Sequence, residues 1–267
     1  MSGTVYLVGA GPGAADLLTL RAARLLARAD IVFHDALVPE AVLGLASNAR
    51  KIQVGKRSGR LSTAQHFINK QLADAAKKFK VVVRLKGGDP MLFGRAHEEL
   101  SFLMQQGIRC GIVPGVTAAL AASAELAVSL TRRGVSRSVV FLTPRSAAGA
   151  RPNDWAQAAL AADTVAIYMG AGEAEAISRA LIAAGKPRRT PVAVVENATL
   201  PGAAWRFGML ERLPEIAVRG AGGPQLILLG EVYRHSAIIA AWREAQSSSS
   251  RTARATPTGR GRSGSSR

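Results

Sequence analysis

The first residues with chemical potential form a glycine-rich turn. Val8-Gly9-Ala10-Gly11-Pro12-Gly13 stands between a short apolar run and a helical pattern. Glycines let the backbone turn sharply and approach a ligand closely, and the N-terminus of the following helix favours an anionic or polar group. Gly9, Gly11 and Ala14 also fit the dinucleotide fingerprint loosely, with Asp35 about 24 residues further on to meet a ribose hydroxyl. The turn therefore predicts a ligand-binding loop, with a tight structural turn as the alternative.

A second motif, residues 84–90, reads Arg-Leu-Lys-Gly-Gly-Asp-Pro and follows a β-branched run. Glycines at the carboxyl end of a parallel strand lie where α/β folds bind ligands. Asp89 has a structural alternative as the N-cap of a helix whose first residue is Pro90. Both roles are compatible, because Asp89 could cap while the bare backbone of Gly87 and Gly88 faces a ligand.

A third motif, residues 113–119, reads Val-Pro-Gly-Val-Thr-Ala-Ala. Small residues at the start of a helix permit a flat ligand to approach closely. The alternative is a hinge between domains, with a helix cap at Gly115 or Thr117.

Apolar runs of strand length alternate with helical patterns along most of the chain. Strands are predicted at 5–8, 31–33, 51–54, 81–85, 108–113, 138–142, 164–168, 191–195 and 225–230. Helices are predicted at 16–29, 62–79, 96–106, 117–127, 154–162, 173–184 and 235–245.

Strands separated by helices indicate parallel-rich α/β sheets. Pro114-Gly115 interrupts the pattern, which then starts again. We therefore predict the α/β fold class with two α/β domains, residues 3–114 and 115–245. Residues 246–267 are rich in Ser and Arg without apolar periodicity, so we expect a disordered basic tail.

The chain is strongly basic, with 35 Lys and Arg against 18 Asp and Glu and a formal charge of +17. The tail holds five arginines and no acid, so the rest of the chain retains +12. A charge of this size indicates an anionic partner, such as nucleic acid, a membrane surface or a polyacidic ligand. Phe, Trp and Tyr make up only 5% of the chain, which disfavours RNA binding through stacked bases.

Several classes of protein are excluded by composition. The single cysteine, Cys110, cannot form an internal disulfide or a Cys-based zinc cage, and its apolar strand favours packing over nucleophilic chemistry. The chain has no uninterrupted apolar run of about 18 residues, so a membrane-spanning helix is not expected. Met1–Thr4 lacks the basic segment of a signal peptide. We expect a cytoplasmic protein with no bound metal, no membrane and no specific nucleic acid.

The three glycine motifs occur in order with DLLTLRA, SLTRRG, IYMG and PVAVVENAT. Together they resemble the tetrapyrrole methylase family over about residues 4–240. Within the family, the motifs are most similar to those of the members that methylate uroporphyrinogen III. The match begins near the N-terminus, so the resemblance is to the stand-alone methyltransferases rather than to the multifunctional sirohaem enzyme.

The resemblance implies two α/β domains with S-adenosylmethionine in the cleft between them, usually in a homodimer. It also implies two C-methylations of uroporphyrinogen III, at C2 and C7, giving precorrin-2, which leads to sirohaem, cobalamin or haem d1. Position 198 departs from the family, which usually has Gly there. The implied cofactor contacts are Pro12, Gly87, Gly88, Asp89, Leu92, Thr117, Ala118, Met169 and Ala198.

The resemblance also assigns two catalytic residues. Asp35 matches the family aspartate proposed to take a proton, and the predicted end of a strand over a cleft suits a base. Its neighbours are His34 and Ala36, where the family usually has Tyr and Arg. Lys56 matches the lysine assigned as proton donor, with a solvated surface cation as the alternative.

Uroporphyrinogen III carries eight carboxylates, so basic residues around the cleft would attract and orient it. Arg95, Arg132 and Arg133 are the candidates, because their motifs flank the cofactor loops. Glu98 is placed to orient Arg95 across one helical turn. Each arginine could instead be a solvated surface charge.

Three other functions stay open from the sequence. A methylase of a later precorrin shares the fold, although RLKGGDP, SLTRRG and VENAT favour uroporphyrinogen III. A dinucleotide-dependent oxidoreductase would explain the first glycine loop but not the other two. An RNA-binding protein would explain the charge and would bind in a salt-sensitive way that requires the tail.

Overall fold

The computed structural model describes residues 2–54, 63–145, 154–217 and 222–235. Strands and helices alternate along these residues, and ten strands form two five-stranded sheets, which confirms the α/β fold class. The strands are β1 Thr4–Gly9, β2 Ile31–His34, β3 Arg50–Gln53, β4 Val81–Lys86, β5 Arg109–Val113, β6 Val139–Leu142, β7 Thr164–Ile167, β8 Pro191–Glu196, β9 Ala204–Met209 and β10 Gln225–Gly230. The α-helices are α1 Leu20–Leu26, α2 Glu40–Leu43, α3 Thr63–Ala76, α4 Ala96–Gln105, α5 Ala118–Leu126, α6 Trp155–Ala161, α7 Ala174–Ala183 and α8 Leu213–Ile216.

The first sheet has the order β3-β2-β4-β1-β5, and every neighbouring pair is parallel. Parallel strands end at one edge of a sheet, so Gly9, His34, Lys86 and Val113 all lie along the carboxyl edge. Ligands of open α/β sheets bind at this edge. All three glycine motifs therefore start from the same side of the sheet.

The second sheet has the order β6-β7-β10-β8-β9, and only β6 and β7 are parallel. The predicted parallel-rich arrangement is wrong here, because β10 inserts antiparallel between β7 and β8 and β9 pairs antiparallel with β8. Strand β9 was not predicted from the sequence; it is a half-buried edge strand interrupted by Gly208. Since β10 opposes both β7 and β8, those two strands run in the same direction.

Both sheets are covered on both faces. The first packs one face against α3 and α4 and the other against α1 and α2. The second packs one face against α6, α7 and α8. Its other face contacts α5, through Ala119, Ala122 and Leu126. Helix α5 thus belongs by packing to the second sheet, although it directly follows the third glycine motif.

One predicted helix differs from the structure, and the alternative helix start at Pro90 is wrong. The segment 16–29 divides into a 3₁₀ turn, Ala15–Leu17, and α1, whose N-cap Thr19 accepts a hydrogen bond from the Ala22 N–H at 3.1 Å. No helix opens at Pro90; the Asp89 carboxylate caps a turn by accepting from the Met91 N–H at 2.8 Å. The predicted helix 235–245 and the tail 246–267 lie outside the described residues, apart from His235.

Candidate active site

The three glycine motifs meet at the carboxyl edge of the first sheet. Gly11 and Gly88 exchange backbone hydrogen bonds, with N···O distances of 3.2 and 2.7 Å. A Cβ on Gly115 would overlap the Gly88 carbonyl oxygen, and one on Gly9 would overlap the backbone of Gly115. Glycine is required at these positions because the loops pack backbone against backbone.

Asp89 fixes the second loop to the third. Its Oδ2 accepts a hydrogen bond from the Gly115 N–H at 2.9 Å, while Oδ1 holds the turn at Met91. Both carboxylate oxygens therefore have partners within the protein, and Asp89 shapes the loops.

The outer side of the second loop is open. Gly87 is exposed, and a Cβ built on it would meet no atom within 4 Å. For Gly88, which has φ +66°, the nearest atom to such a Cβ is the Cα of Thr117, at 3.9 Å. We call the bare backbone of Gly87 and Gly88 next to this open space the glycine cradle, and it leaves room for a ligand.

The loops that follow β7 and β8 of the second sheet contact the glycine motifs. Tyr168, directly after β7, shares a hydrogen bond of 2.7 Å with Thr117 Oγ1, and its hydroxyl also accepts from the Ala119 N–H at 3.1 Å. After β8, Thr199 Oγ1 accepts from the Ala14 N–H at 3.0 Å, and Leu200 lies against Gly13. Loops that follow β7 and β8 therefore contact the glycine loops, at the place where the resemblance predicts a cleft between two α/β halves.

Backbone strain concentrates at the same place. Six described non-glycine residues have φ in the left-handed region. Ala127 lies at the end of α5, and the other five lie between the second glycine motif and α4 or after β7 and β8. The others are Phe93, Arg95, Met169, Asn197 and Thr199. Such conformations cost about 1–3 kcal/mol each and cluster at functional sites.

The predicted apolar contacts have different surroundings. Met169 is 43% exposed, so it is not a core residue, and Leu92 is half-buried. The ring of Phe93 lies 5.1 Å from that of Tyr168. Ala198 is buried against the core shared with α5, whereas Pro12 and Ala118 are half-buried at the loops.

Beside the cradle lies a set of four charged side chains, here called the charged quartet: Asp35, Arg84, Lys86 and Glu99. Arg84 and Lys86 come from the central strand β4 and are 4% exposed, while Glu99 on α4 is fully buried. Glu99 accepts from Arg84 Nε at 3.0 Å and from Lys86 Nζ at 3.0 Å on each oxygen. Arg84 Nη2 donates to Asp35 Oδ1 at 2.5 Å.

Burial and charge act against each other in the quartet. Burial alone would lower the pKa of Arg84, but the carboxylates of Asp35 and Glu99 outweigh it, so the pKa lies above its usual value. Burial, together with the charge of Arg84, lowers the pKa of Lys86, and Glu99 and Asp35 offset only part of that effect. Buried charges of this kind persist only when they are paired.

Functional roles for Arg84, Lys86 and Glu99 were not predicted from the sequence. The available signal was two cations within a strand of otherwise apolar, β-branched residues, followed by acids on the next helix. Asp35 was singled out, and the structure places it at the end of β2, with a third of its side chain exposed. Lys56 lies outside the described residues.

The predicted substrate arginines do not form one group of contacts. Arg95, at the start of α4, donates from Nε and Nη2 to the two oxygens of Glu98, both at 2.7 Å, so the expected orientation of Arg95 by Glu98 is present. Arg132 and Arg133 are exposed in a turn before β6, where the backbone of Arg132 pairs with that of Ser136.

The described residues contain neither a metal site nor a membrane-spanning helix. They hold no group of three His, Cys, Asp or Glu side chains arranged for a metal ion, and no helix among them is long and apolar enough to cross a membrane. Cys110 is half-buried against the core of the first sheet, and burial raises the pKa of its thiol.

Comparisons with known proteins agree with this geometry. Residues 4–214 match the family described as Tetrapyrrole (Corrin/Porphyrin) Methylases. "Siroheme synthase 1" of Klebsiella pneumoniae is 46% identical over 232 residues, which cover 86% of this chain and 49% of that protein. The chain thus spans about half the length of the curated relatives it matches.

Two solved structures also share the fold. The uroporphyrin-III C-methyl transferase of Thermus thermophilus, complexed with S-adenyl homocysteine, superposes with a TM-score of 0.76 at 39% identity, covering 87% of this chain and 94% of that one. A cobalt precorrin-4 methyltransferase superposes with a TM-score of 0.74 at 27% identity, covering 86% of this chain and 95% of that one. With the matched motifs, the glycine cradle and the shared fold, the chain belongs to the tetrapyrrole methylase family.

Proposed function

We propose that the chain transfers methyl groups from S-adenosylmethionine to two pyrrole carbons of uroporphyrinogen III, C2 and C7, giving precorrin-2 and S-adenosylhomocysteine. The observation that carries this proposal is the bare glycine cradle next to the charged quartet, at the carboxyl edge of the first sheet. Similarity to the T. thermophilus transferase, of which the alignment covers 94%, supports the same reaction.

The residues present fit the methyl donor. Open space beside Gly87 and Gly88 admits a ligand against bare backbone, and exposed Met169 offers an apolar surface. When bound, S-adenosylmethionine supplies an electrophilic sulfonium methyl group. The residues that would hold it are Pro12, Gly87, Gly88, Asp89, Leu92, Thr117, Ala118, Met169 and Ala198. Asp89 would contribute by fixing the second and third glycine loops, to which its carboxylate is hydrogen-bonded.

Asp35 is the proposed base. After a pyrrole carbon gains a methyl group, the ring system must lose a proton. A carboxylate at the edge of the cleft can accept that proton. Arg84 Nη2 donates to Asp35 Oδ1, and a third of the Asp35 side chain is exposed at the end of β2. Lys56 is the proposed proton donor.

The positive charge of the chain has a use in this reaction. Arg95, Arg132 and Arg133 are proposed to bind carboxylates of the substrate, because the planar guanidinium group suits bidentate contacts. Arg95 is about half exposed despite its pair with Glu98, so it can exchange that partner for a substrate carboxylate. Exposed ion pairs contribute only about 0–1 kcal/mol, so this exchange costs little.

We further propose two domains, 3–114 and 115–245, in a cytoplasmic homodimer. The division is supported by the two separate sheets and by the packing of α5 on the second. The dimer and the location rest on resemblance to the family.

The test is anaerobic turnover of uroporphyrinogen III with S-adenosylmethionine, followed by mass and absorbance measurements on the oxidised product. Addition of two methyl groups is the expected result. No methylation, together with retained binding of S-adenosylhomocysteine, would instead favour methylation of a later precorrin, which the likeness to the cobalt precorrin-4 enzyme makes the second candidate.

A further inference from the structure

Glu99 accepts hydrogen bonds from three residues, although its side chain does not reach the surface. Its side chain is fully buried. Besides Arg84 and Lys86, it accepts a hydrogen bond from Gln65 Nε2 at 3.1 Å, and Gln65 in turn contacts Asn69 on the same helix. Three donors converge on one carboxylate, and this site therefore requires a side chain that only accepts hydrogen bonds.

Arg84 transmits the position of Glu99 to the proposed base. Its Nε donates to Glu99 and its Nη1 to the Leu85 carbonyl oxygen at 3.2 Å, which leaves Nη2 directed at Asp35. The same Leu85 oxygen accepts from the Asp35 N–H at 3.2 Å. Two fixed contacts set the plane of the guanidinium group, and that plane sets where the Asp35 carboxylate lies.

The charges of the quartet also balance. Arg84 and Lys86 contribute two positive charges, and Asp35 and Glu99 contribute two negative ones. Without Glu99, two buried cations would compete for the single carboxylate of Asp35, in surroundings where charge interactions are strong.

We infer that Glu99 is a positioning residue for the methylation: it orients Arg84 and neutralises Lys86, so that the Asp35 carboxylate stays directed at the cleft. Glu99 touches neither the substrate nor the methyl donor. The groups that face it are Arg84 and Lys86 from β4 and Gln65 from α3, with Asp35 reached through Arg84.

The first variant is Glu99→Gln. It keeps the size of the side chain but brings an NH₂ group among three donors and leaves the quartet with one excess positive charge. We expect kcat to fall at least tenfold while the Kd for S-adenosylhomocysteine changes less than threefold, because the glycine cradle is untouched. Wild-type kcat in Glu99→Gln would overturn the inference.

The deciding variant is the double substitution Lys86→Met/Glu99→Gln. It removes one charge of each sign and one of the three donors, so the introduced amide oxygen can accept from Arg84 and Gln65 without excess charge nearby. We expect kcat to recover severalfold over Glu99→Gln. If Glu99→Gln does not fold, the double variant is compared directly with the wild type. A folded double variant that is no more active than the single variant, or inactive where the single does not fold, would overturn the charge-balance role.

A second readout does not require turnover. The ¹³C signal of the Asp35 carboxyl group should shift in Glu99→Gln and return toward the wild-type position in the double variant. An unchanged signal in Glu99→Gln would overturn the positioning role. Lys186→Met is the matched control, since Lys186 is a buried cation of the second half that donates to the Ala159 and Ala162 carbonyl oxygens; it should lower Tm without changing kcat.

Because this role depends on the proposed methylation, wild-type turnover is measured first. A wild-type chain that methylates no uroporphyrinogen III would refute the proposed function, while the Asp35 signal would still test the positioning. An active wild type with an equally active Glu99→Gln would refute the positioning alone.

Discussion

The two sheets use buried charge differently. The first buries Arg84, Lys86 and Glu99 beside its carboxyl edge, where Arg84 contacts the partly exposed Asp35. In the second, buried Lys186 closes the end of α6 and buried Glu196 pairs with Arg206 of the edge strand at 2.8 Å. The parallel sheet thus concentrates charged groups at one edge, since its strands all end there, while the mixed sheet contacts that edge through the loops that follow β7 and β8.

The two halves nevertheless share one structural device. Asp30, before β2, accepts from the Lys80 and Val81 N–H groups at 2.9 and 2.8 Å. Asp163, before β7, accepts from the Arg137 and Ser138 N–H groups at 2.8 and 3.1 Å. In each sheet an aspartate ahead of one strand holds the start of its neighbour. The halves are therefore alike at their amino edges and differ at the edges that form the cleft.

The largest effect is expected from Asp35→Asn, which tests whether chemistry belongs to the carboxyl edge of the first sheet. Loss of a general base should lower kcat by about 100-fold or more, with little change in the Kd for S-adenosylhomocysteine. Initial rates under anaerobic conditions and calorimetric titration measure the two quantities. Asp30→Asn, at the other end of β2, is the control and should keep kcat near the wild-type value. Wild-type turnover by Asp35→Asn would show that the edge does not supply the base.

The next effect concerns the cradle. In Gly87→Ala the new methyl group meets no protein atom within 4 Å, so Tm should be unchanged, but it occupies space proposed for the methyl donor. We expect the Kd for S-adenosylhomocysteine to rise about tenfold, which equals about 1.4 kcal/mol. Gly172→Ala in the second half also meets no atom within 4 Å and should alter neither Kd nor Tm. Equal affinities for the two variants would contradict the proposed binding surface.

A smaller effect tests the junction of the halves. Tyr168→Phe removes the hydroxyl that contacts Thr117 and the Ala119 N–H, and leaving such groups unpaired costs about 1–3 kcal/mol. Urea unfolding should show this loss. Combined with Thr117→Val, the two changes should be non-additive because they remove the same bond. Strict additivity would mean that the hydroxyls do not interact in solution.

The smallest effect is expected at the amino edge of the second sheet, in the pH dependence of Tm. Hydrogen bonds from the Arg137 N–H, the Ser138 hydroxyl and the Ser138 N–H lower the pKa of Asp163 below its usual value. A carboxyl pKa that is lower in the folded state stabilises the fold above the unfolded pKa, and this stability disappears as pH falls through the folded pKa. Asp163→Asn should therefore lower Tm slightly at pH 7, and this difference from the wild type should shrink as pH falls through the folded pKa of Asp163. A difference in Tm that does not depend on pH would exclude the charge as its source.

Much of the fold follows from local patterns. Nine of the ten strands coincide with predicted strands, and most of these are short apolar segments bounded by turn residues, as buried strands require. Strand β9 escaped prediction because an edge strand is only half-buried and has little apolar pattern. The antiparallel position of β10 escaped because apolar periodicity specifies that a strand is buried but not its direction.

The alternation of strands and helices and the three glycine motifs could be identified from the sequence alone, since they depend on residue types close together in the chain. Resemblance to the family then indicated Asp35 as a candidate base. The folded structure was needed to show that Gly88 packs against Gly11 and Gly115, that Asp89 braces two loops, and that Arg84, Lys86 and Glu99 form a neutral set with Asp35. A buried charge is tolerable only with its partner, and Glu99 meets Arg84 and Lys86 only when α4 packs against the sheet. Partners separated by 15 and 49 residues along the chain leave no local periodicity to detect.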